Sequence, residues 1–353
     1  MPNTRIVKVD PLHPAPEYLS EAADVVMTGG LAIIPTETVY GIAANMANKK
    51  TLERLYEIKK RPKDKPFSLH IDNREEAEKF CADIPVAAYK LMDRFWPGPL
   101  TLVLKSRDSG KIGIRLPDNA IAQKVIADSG VAVVCPSANL SGKAAPVDFQ
   151  EAIADLRGLV DFAIDAGPTV LKMESSVVDA SAVPVRILRE GALVSKDIEV
   201  VAARKIVLFV CTGNSCRSVM AAALLKKKLQ DKKRDDVDVL SAGIMLGGGF
   251  GATDETRQLL KEEGIDVSRH QSRGINRDII HKADIILVME RFHEQRVLQM
   301  VPEVKNRVFL LKEFAKIKDN KLDIEDPIGR EDGFYRRTFE LIKEAIERVS
   351  DII

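Results

Sequence analysis

Lys205 to Met220 reads KIVLFVCTGNSCRSVM. Six mostly apolar, β-branched residues, Lys205 to Val210, run straight into Cys211-Thr212-Gly213-Asn214-Ser215-Cys216-Arg217-Ser218. Val219 to Gln230 follows, rich in Ala, Leu and Lys and so strong in helix propensity. That order predicts a buried strand, a tight loop and a helix. The loop then sits on a helix N-terminus, where free backbone N–H groups and the dipole favour an anion. The same field favours an anionic sulfur at Cys211. Arg217, six residues on, offers a planar fork that matches two oxygens of a phosphoryl group. A lone cysteine ending a strand is usually plain core. Here the arginine, the Gly-Asn turn and the helix start fall in register and point to a site.

Length and composition bound the rest. At 353 residues the chain exceeds one typical core, and two domains are expected. Hydrophobic content of 45% and charged content of 30% suit a globular protein. The net charge is +1, with about −2 on residues 1–200 and about +3 on the remainder, so no global electrostatic case for nucleic acid follows. Four cysteines do not make a disulfide framework. The opening MPNTRIVKVDPLHP lacks an apolar signal core, and no run of about 18 apolar residues occurs. A cytoplasmic protein without membrane attachment is the expectation.

The stretch from Lys205 resembles the low-molecular-weight protein tyrosine phosphatase family, whose signature is C-x-x-x-x-x-R-S, and the likeness runs to the C-terminus. It implies a parallel-sheet three-layer fold, a Cys211 nucleophile, a phosphate-binding Arg217 and a loop of Thr212, Gly213, Asn214, Ser215, Cys216 and Ser218. Ser218 would steady the thiolate, and Asn214 would shape the loop, because Asn tolerates left-handed backbone angles. Asp326, in the pair Asp326-Pro327, would be the general acid and then activate water on a phosphocysteine. No metal or other cofactor is implied. Cys216 is either packing or a disulfide partner for Cys211. Arsenate reductases of this fold use further downstream cysteines, and none follows Cys216. Ile328-Gly329 after the Asp-Pro, and Ser215 in the loop, resemble the protein-arginine phosphatase branch. Phosphoarginine is therefore favoured over phosphotyrosine as the protein substrate, with a small phosphorylated molecule as a further alternative.

The same half is expected to hold strands at Val237–Leu240 (leading into Ser241-Ala242-Gly243), Ala283–Met289 and Arg307–Leu311. Helices are expected at Asp254–Glu263, with Gly264 as its cap, at Arg291–Met300 and at Phe334–Val349. The glycine-rich Leu246–Gly251 reads as a flexible loop.

In the first half, Tyr18–Gly29, Thr51–Lys60, Glu75–Cys81 and Val86–Phe95 read as helices. Apolar runs at Leu31–Ile34, Phe67–Ile71, Leu100–Leu104, Ile112–Leu116, Val131–Cys135, Phe162–Asp165 and Ser176–Asp179 suggest a mixed sheet. Thr36, Thr38 and Tyr40, the basic Lys59–Lys65 and the turn Pro136–Gly142 each admit a solvated-loop reading. Each also lies near an apolar strand, where loops of α/β folds gather a site.

Six motifs together resemble the YrdC-type threonylcarbamoyl-AMP synthase family. They are PTETVYG (35–41), IKKRPKDKP (58–66), IRLPDN (114–119), CPSANLSG (135–142), ESSVVD (174–179) and ILREGA (187–192). The resemblance implies a mixed twisted sheet with helices. It implies condensation of L-threonine, bicarbonate and ATP to threonylcarbamoyl-AMP and pyrophosphate, with Mg2+ accompanying the nucleotide. That product would serve tRNA modification, making tRNA or tRNA-modification proteins possible partners. By motif, Lys59, Arg61, Arg115, Ser137, Asn139, Ser176 and Arg189 would hold ATP and the adenylate. Thr36, Thr38 and His70 would lie near the threonine. No covalent intermediate is required; catalysis would come from holding two anions together and neutralising the leaving pyrophosphate.

The expected organisation is an α/β protein of three parts: a synthase-like domain at 1–195, a linker at 196–204 and a phosphatase-like domain at 205–353. An RNA-binding module in the first half is the non-enzymatic alternative, weakened by the near-neutral charge. A phospho-residue-binding pseudoenzyme is the counterpart in the second.

Overall fold

The computed structural model describes residues 3–245 and 247–353. The chain divides into two compact units, Met1–Ala202 and Ala203–Ile353.

The first unit supplies β1 (Arg5–Lys8), β2 (Ala32–Ile34), β3 (Gly41–Asn45), β4 (Leu69–His70), β5 (Leu100–Lys105), β6 (Lys111–Arg115), β7 (Val133–Val134), β8 (Phe162–Asp165), β9 (Ser176–Asp179) and β10 (Arg186–Arg189). Among the described residues these form one mixed sheet in the order β1-β8-β2-β3-β7-β4-β6-β5-β9-β10. β8 is parallel to β1 and β2, while β3 runs antiparallel to both β2 and β7. The alternation along β2 explains the layering. Leu31 and Ile33 enter one core and Ala32 and Ile34 the other, as a strand's two-residue period demands. Helices Pro16–Met27 and Ala120–Ser129 cover one face, and helices Lys49–Lys59 and Phe149–Ala154 the other. A third core gathers Leu100, Leu102, Leu104 and Ile114 against Leu91 and Trp96.

Residues 196–204, expected as a linker, are instead helical over Ser195–Ala203. Ile198, Val201 and Ala202 recur at helical spacing and pack into that third core, Ile198 with no exposed surface.

The second unit supplies β11 (Lys205–Cys211), β12 (Val237–Gly243), β13 (Ile285–Val288) and β14 (Val308–Leu310), all parallel, in the order β12-β11-β13-β14. Along β11, Ile206, Leu208 and Val210 enter one core, and Val207, Phe209 and Cys211 the other. Helices Arg217–Asp231 and Asp332–Ile352 pack on the Cys211 side, and Arg277–His281 and Arg291–Met300 on the opposite side. Both faces are apolar because both are covered. The chain leaves β11 for β12 on one side and reaches β13 on the other, so the loop after β11 stands at the switch point of the sheet. Leu246 of the expected glycine-rich loop lies outside the described residues. Gly249 donates its N–H to Ser272 O at 2.8 Å, and Thr253 its N–H to Ser215 O at 3.0 Å, which ties this segment to its neighbours.

Candidate active sites

In the second unit, β11 ends at Cys211, residues 212–216 form a loop, and the 15-residue helix Arg217–Asp231 begins at once. Asn214 takes the left-handed conformation, φ 54°, that lets the loop curl back over the helix start. Its side chain locks that curl. Asn214 Nδ2 donates to Ser218 Oγ at 3.0 Å, its Oδ1 accepts from Arg273 N at 3.0 Å, and its carbonyl accepts from His270 Nε2 at 2.7 Å. Gly243 is needed beside it, since a Cβ there would stand 2.6 Å from Thr212 O and 2.9 Å from Asn214 N.

Cys211 is 2% exposed, and its Sγ lies 2.9 Å from Ser218 Oγ. Arg217 is 1% exposed and is held on three sides. Nη1 pairs with the Glu290 carboxylate and donates to Ile324 O at 2.8 Å. Nη2 pairs with Asp326 and donates to Thr212 Oγ1 at 3.0 Å. Arg217 Nε is buried and has no acceptor among the described residues. Cys216, at the helix N-cap, is 2% exposed in the core, and burial pushes its thiol up to about 12. All four cysteines are free thiols.

The first unit holds a cleft of about 290 Å³ lined by Thr36, Lys59, Arg61, His70, Arg115, Ser137 and Arg189 among others. Lys59 ends its helix with its Nζ buried, donating at 2.6 Å to each of Ser137 O, Asn139 O and Asn139 Oδ1. Desolvation, with Arg61 adding repulsion, lowers its pKa to about 8. Arg61 donates to Lys65 O and Pro66 O and stacks 5.2 Å over the Phe67 ring. On the other wall Arg115 Nη2 reaches Glu37 Oε1 at 2.7 Å and Thr38 Oγ1 at 2.8 Å. Thr38 Oγ1 is 2.8 Å from Thr36 Oγ1. His70 is buried beside this group, and desolvation followed by the Arg115 charge lowers its pKa to about 3.

One expectation changes. Ser176, expected at the adenylate, faces away: its hydroxyl donates to Leu193 O and accepts from Gly191 N and Leu193 N. The adjacent Ser175 lines the cleft instead, because successive residues entering a strand point to opposite faces. Arg115, grouped by sequence with the nucleotide, lines the same cleft as Lys59, Arg61, Ser137 and Arg189, and there bonds Thr38 Oγ1. Sequence reasoning also missed Glu37, which orients Arg115, and Glu174, which pairs with Arg189 at 2.6 Å. In the second unit it missed Glu290, His270 and His293. Glu290 carried one available signal: it directly follows the expected strand Ala283–Met289, at the same sheet end as Cys211.

Residues 24–191 match the Sua5/YciO/YrdC family model, described as telomere recombination, and residues 206–351 match that of the low molecular weight phosphotyrosine protein phosphatases. The chain belongs to both families. Its Sua5/YciO/YrdC half is 38% identical over 187 residues to the threonylcarbamoyl-AMP synthase of Pyrococcus abyssi, an alignment covering 50% of this chain and 55% of the relative. The chain thus spans little more than half the length of that relative. The phosphatase half is 37% identical over 145 residues to a protein-arginine-phosphatase of Geobacillus stearothermophilus, covering 41% of this chain and 93% of the relative. The crystal structure of P. abyssi Sua5 complexed with L-threonine superimposes with a TM-score of 0.54 at 25% identity, covering 87% of this chain and 99% of that one. No helix among the described residues is long and apolar enough to cross a membrane.

Proposed function

We propose that the chain carries two activities, a threonylcarbamoyl-AMP synthase in residues 1–195 with the helix that follows, and a cysteine-dependent protein phosphatase in residues 205–353. The synthase reading rests on the cleft lined by Lys59, Arg61, Arg189, Arg115 and Thr36, with the buried Thr38 hydroxyl bonded to Arg115 behind that wall. Threonine near the inner wall would take up bicarbonate on its amine, releasing water. The carbamate oxygen then attacks the α-phosphorus of ATP, and pyrophosphate leaves toward the basic residues. Glu174 is the one carboxylate lining the cleft among the described residues. That donor set fits a magnesium ion carried by the triphosphate, not one caged by protein ligands. Threonylcarbamoyl-AMP would be passed on to tRNA modification, and a cytoplasmic location suits both substrates.

The phosphatase reading rests on one observation: the buried Nε of Arg217, which has no acceptor among the described residues, on the first turn of the helix whose preceding loop begins after Cys211. A phosphoryl oxygen supplies that acceptor. Cys211 Sγ attacks phosphorus, an S–P bond forms, the bond to the leaving group breaks, and Asp326 gives that group its proton. Asp326 then takes a proton from the water that cleaves the S–P bond. The protein-arginine-phosphatase relative and the absence of an aromatic residue at Ile328 favour a phosphoarginine substrate.

The test runs on the full chain. Threonine- and bicarbonate-dependent pyrophosphate release should vanish in Lys59→Ala and persist in Cys211→Ser. Phosphopeptide hydrolysis should vanish in Cys211→Ser and persist in Lys59→Ala. Phosphoarginine peptides should outpace phosphotyrosine peptides; the reverse order would refute the assigned preference. Loss of both activities in either variant would contradict independent sites.

A further inference from the structure

His293 has no exposed surface, yet no step above uses it. Its Nδ1 stands 3.1 Å from the backbone N–H of Glu290, a group that can only donate, so Nδ1 is the acceptor and the ring proton sits on Nε2. That proton is directed at Thr212 Oγ1, 3.0 Å away. The same oxygen accepts from Arg217 Nη2 at 3.0 Å. Arg217 Nη1 in turn pairs with the Glu290 carboxylate, closing a ring of four residues around the guanidinium. Both lone pairs of the Thr212 oxygen are taken by these two donors. What it has left to offer is its own proton.

We propose that His293 is a positioning residue for the phosphatase site, fixing the Thr212 hydroxyl so that its proton is presented to the phosphoryl group bound at Arg217. The proposal rests on the phosphatase reading. It requires a neutral ring: a second proton on Nδ1 would oppose the Glu290 N–H and set a cation beside Arg217. Burial, with the Arg217 charge adding to it, lowers the His293 pKa to about 3, which keeps the ring neutral near pH 7. Thr212 is the first residue after the nucleophile, so a hydroxyl oriented there meets the charge that the transferring phosphoryl group carries.

The test measures p-nitrophenyl phosphate hydrolysis by the full chain, with Cys211→Ser as the blank. Thr212→Val removes the hydroxyl at nearly constant shape. His293→Asn keeps an acceptor for the Glu290 N–H but is too short to reach Thr212. Each should lower kcat/KM by roughly tenfold or more, the worth of one hydrogen bond to a charged group. The double variant should fall no further than the lower single, since the two residues act through one contact. Thr212→Ser and His293→Gln, which restore a hydroxyl and a donor at the Nε2 position, should recover most of the loss. Full turnover in Thr212→Val would overturn the proposal. So would multiplicative losses in the double variant. If the wild type itself shows no turnover, the phosphatase reading falls, and the proposal is judged by inorganic-phosphate binding in calorimetry. Thr212→Val should weaken that binding about tenfold, and unchanged affinity would sink the idea.

Discussion

Arg217 and Asp326 are joined by an ion pair, so the cation assigned to the phosphoryl group and the acid assigned to the leaving group neutralise each other. A phosphoryl group seated on Arg217, as proposed above, would compete for the same edge of the guanidinium and free the Asp326 carboxyl as it binds. Asp326→Asn should therefore lower kcat by about 10²–10⁴-fold, while inorganic phosphate inhibits it at least as well as wild type. Weaker phosphate inhibition in that variant would contradict the competition.

Lys59 spends its three ammonium protons on Ser137 O, Asn139 O and Asn139 Oδ1, so it holds the Ser137–Asn139 turn in place beside the cleft. With a pKa of about 8, it is largely protonated at pH 7 and loses its charge above pH 8. The KM for ATP in pyrophosphate release should accordingly rise through pH 8 to 9 at constant magnesium. A KM flat to pH 9.5 would remove Lys59 from the triphosphate.

Acid should loosen both units. His70 and His293 have folded pKa values of about 3, below the ordinary histidine value of about 6.5. Between those limits the unfolded chain binds more protons, so stability is fully present above pH 6.5 and declines as pH falls toward 3. Each histidine contributes a slope of up to about 1.4 kcal/mol per pH unit in that window. Urea midpoints between pH 7 and 4.5 measure it. His70→Gln should flatten the decline for the first unit, and an unchanged slope would show that His70 titrates freely.

Sequence made the phosphate loop legible because all its parts are local. A β-branched run, a cysteine, an arginine six residues on and a helix former follow one another, and the fold adds only curvature. Glu290 and His293 were not legible as parts of that site, since β13 and the helix after it bring them there from more than seventy residues away. The strand Gly41–Asn45, GIAAN, escapes a propensity reading because alanine and glycine are weak strand formers, and pairing on both sides decides it. The helix Ala120–Ser129 escapes too, although its caps stand in the sequence. The Asn119 side chain accepts from Ala122 N, and Gly130 closes it at φ 63°. The Ser175–Ser176 pair shows the remaining limit. A motif names both serines, and strand parity decides which one faces the cleft.

The helix Ser195–Ala203 has a practical consequence. Its last residue is separated by Arg204 alone from the start of β11, so each half has its natural stop and start almost back to back. Expressing residues 1–195 by themselves would uncork the core under Leu100, Leu102 and Ile114 by removing Ile198 and Val201. That fragment should melt about 5 °C or more below residues 1–203, the loss of roughly 2 kcal/mol for one buried aliphatic plug. Equal melting temperatures would mean that the cork is ornamental and the boundary negotiable.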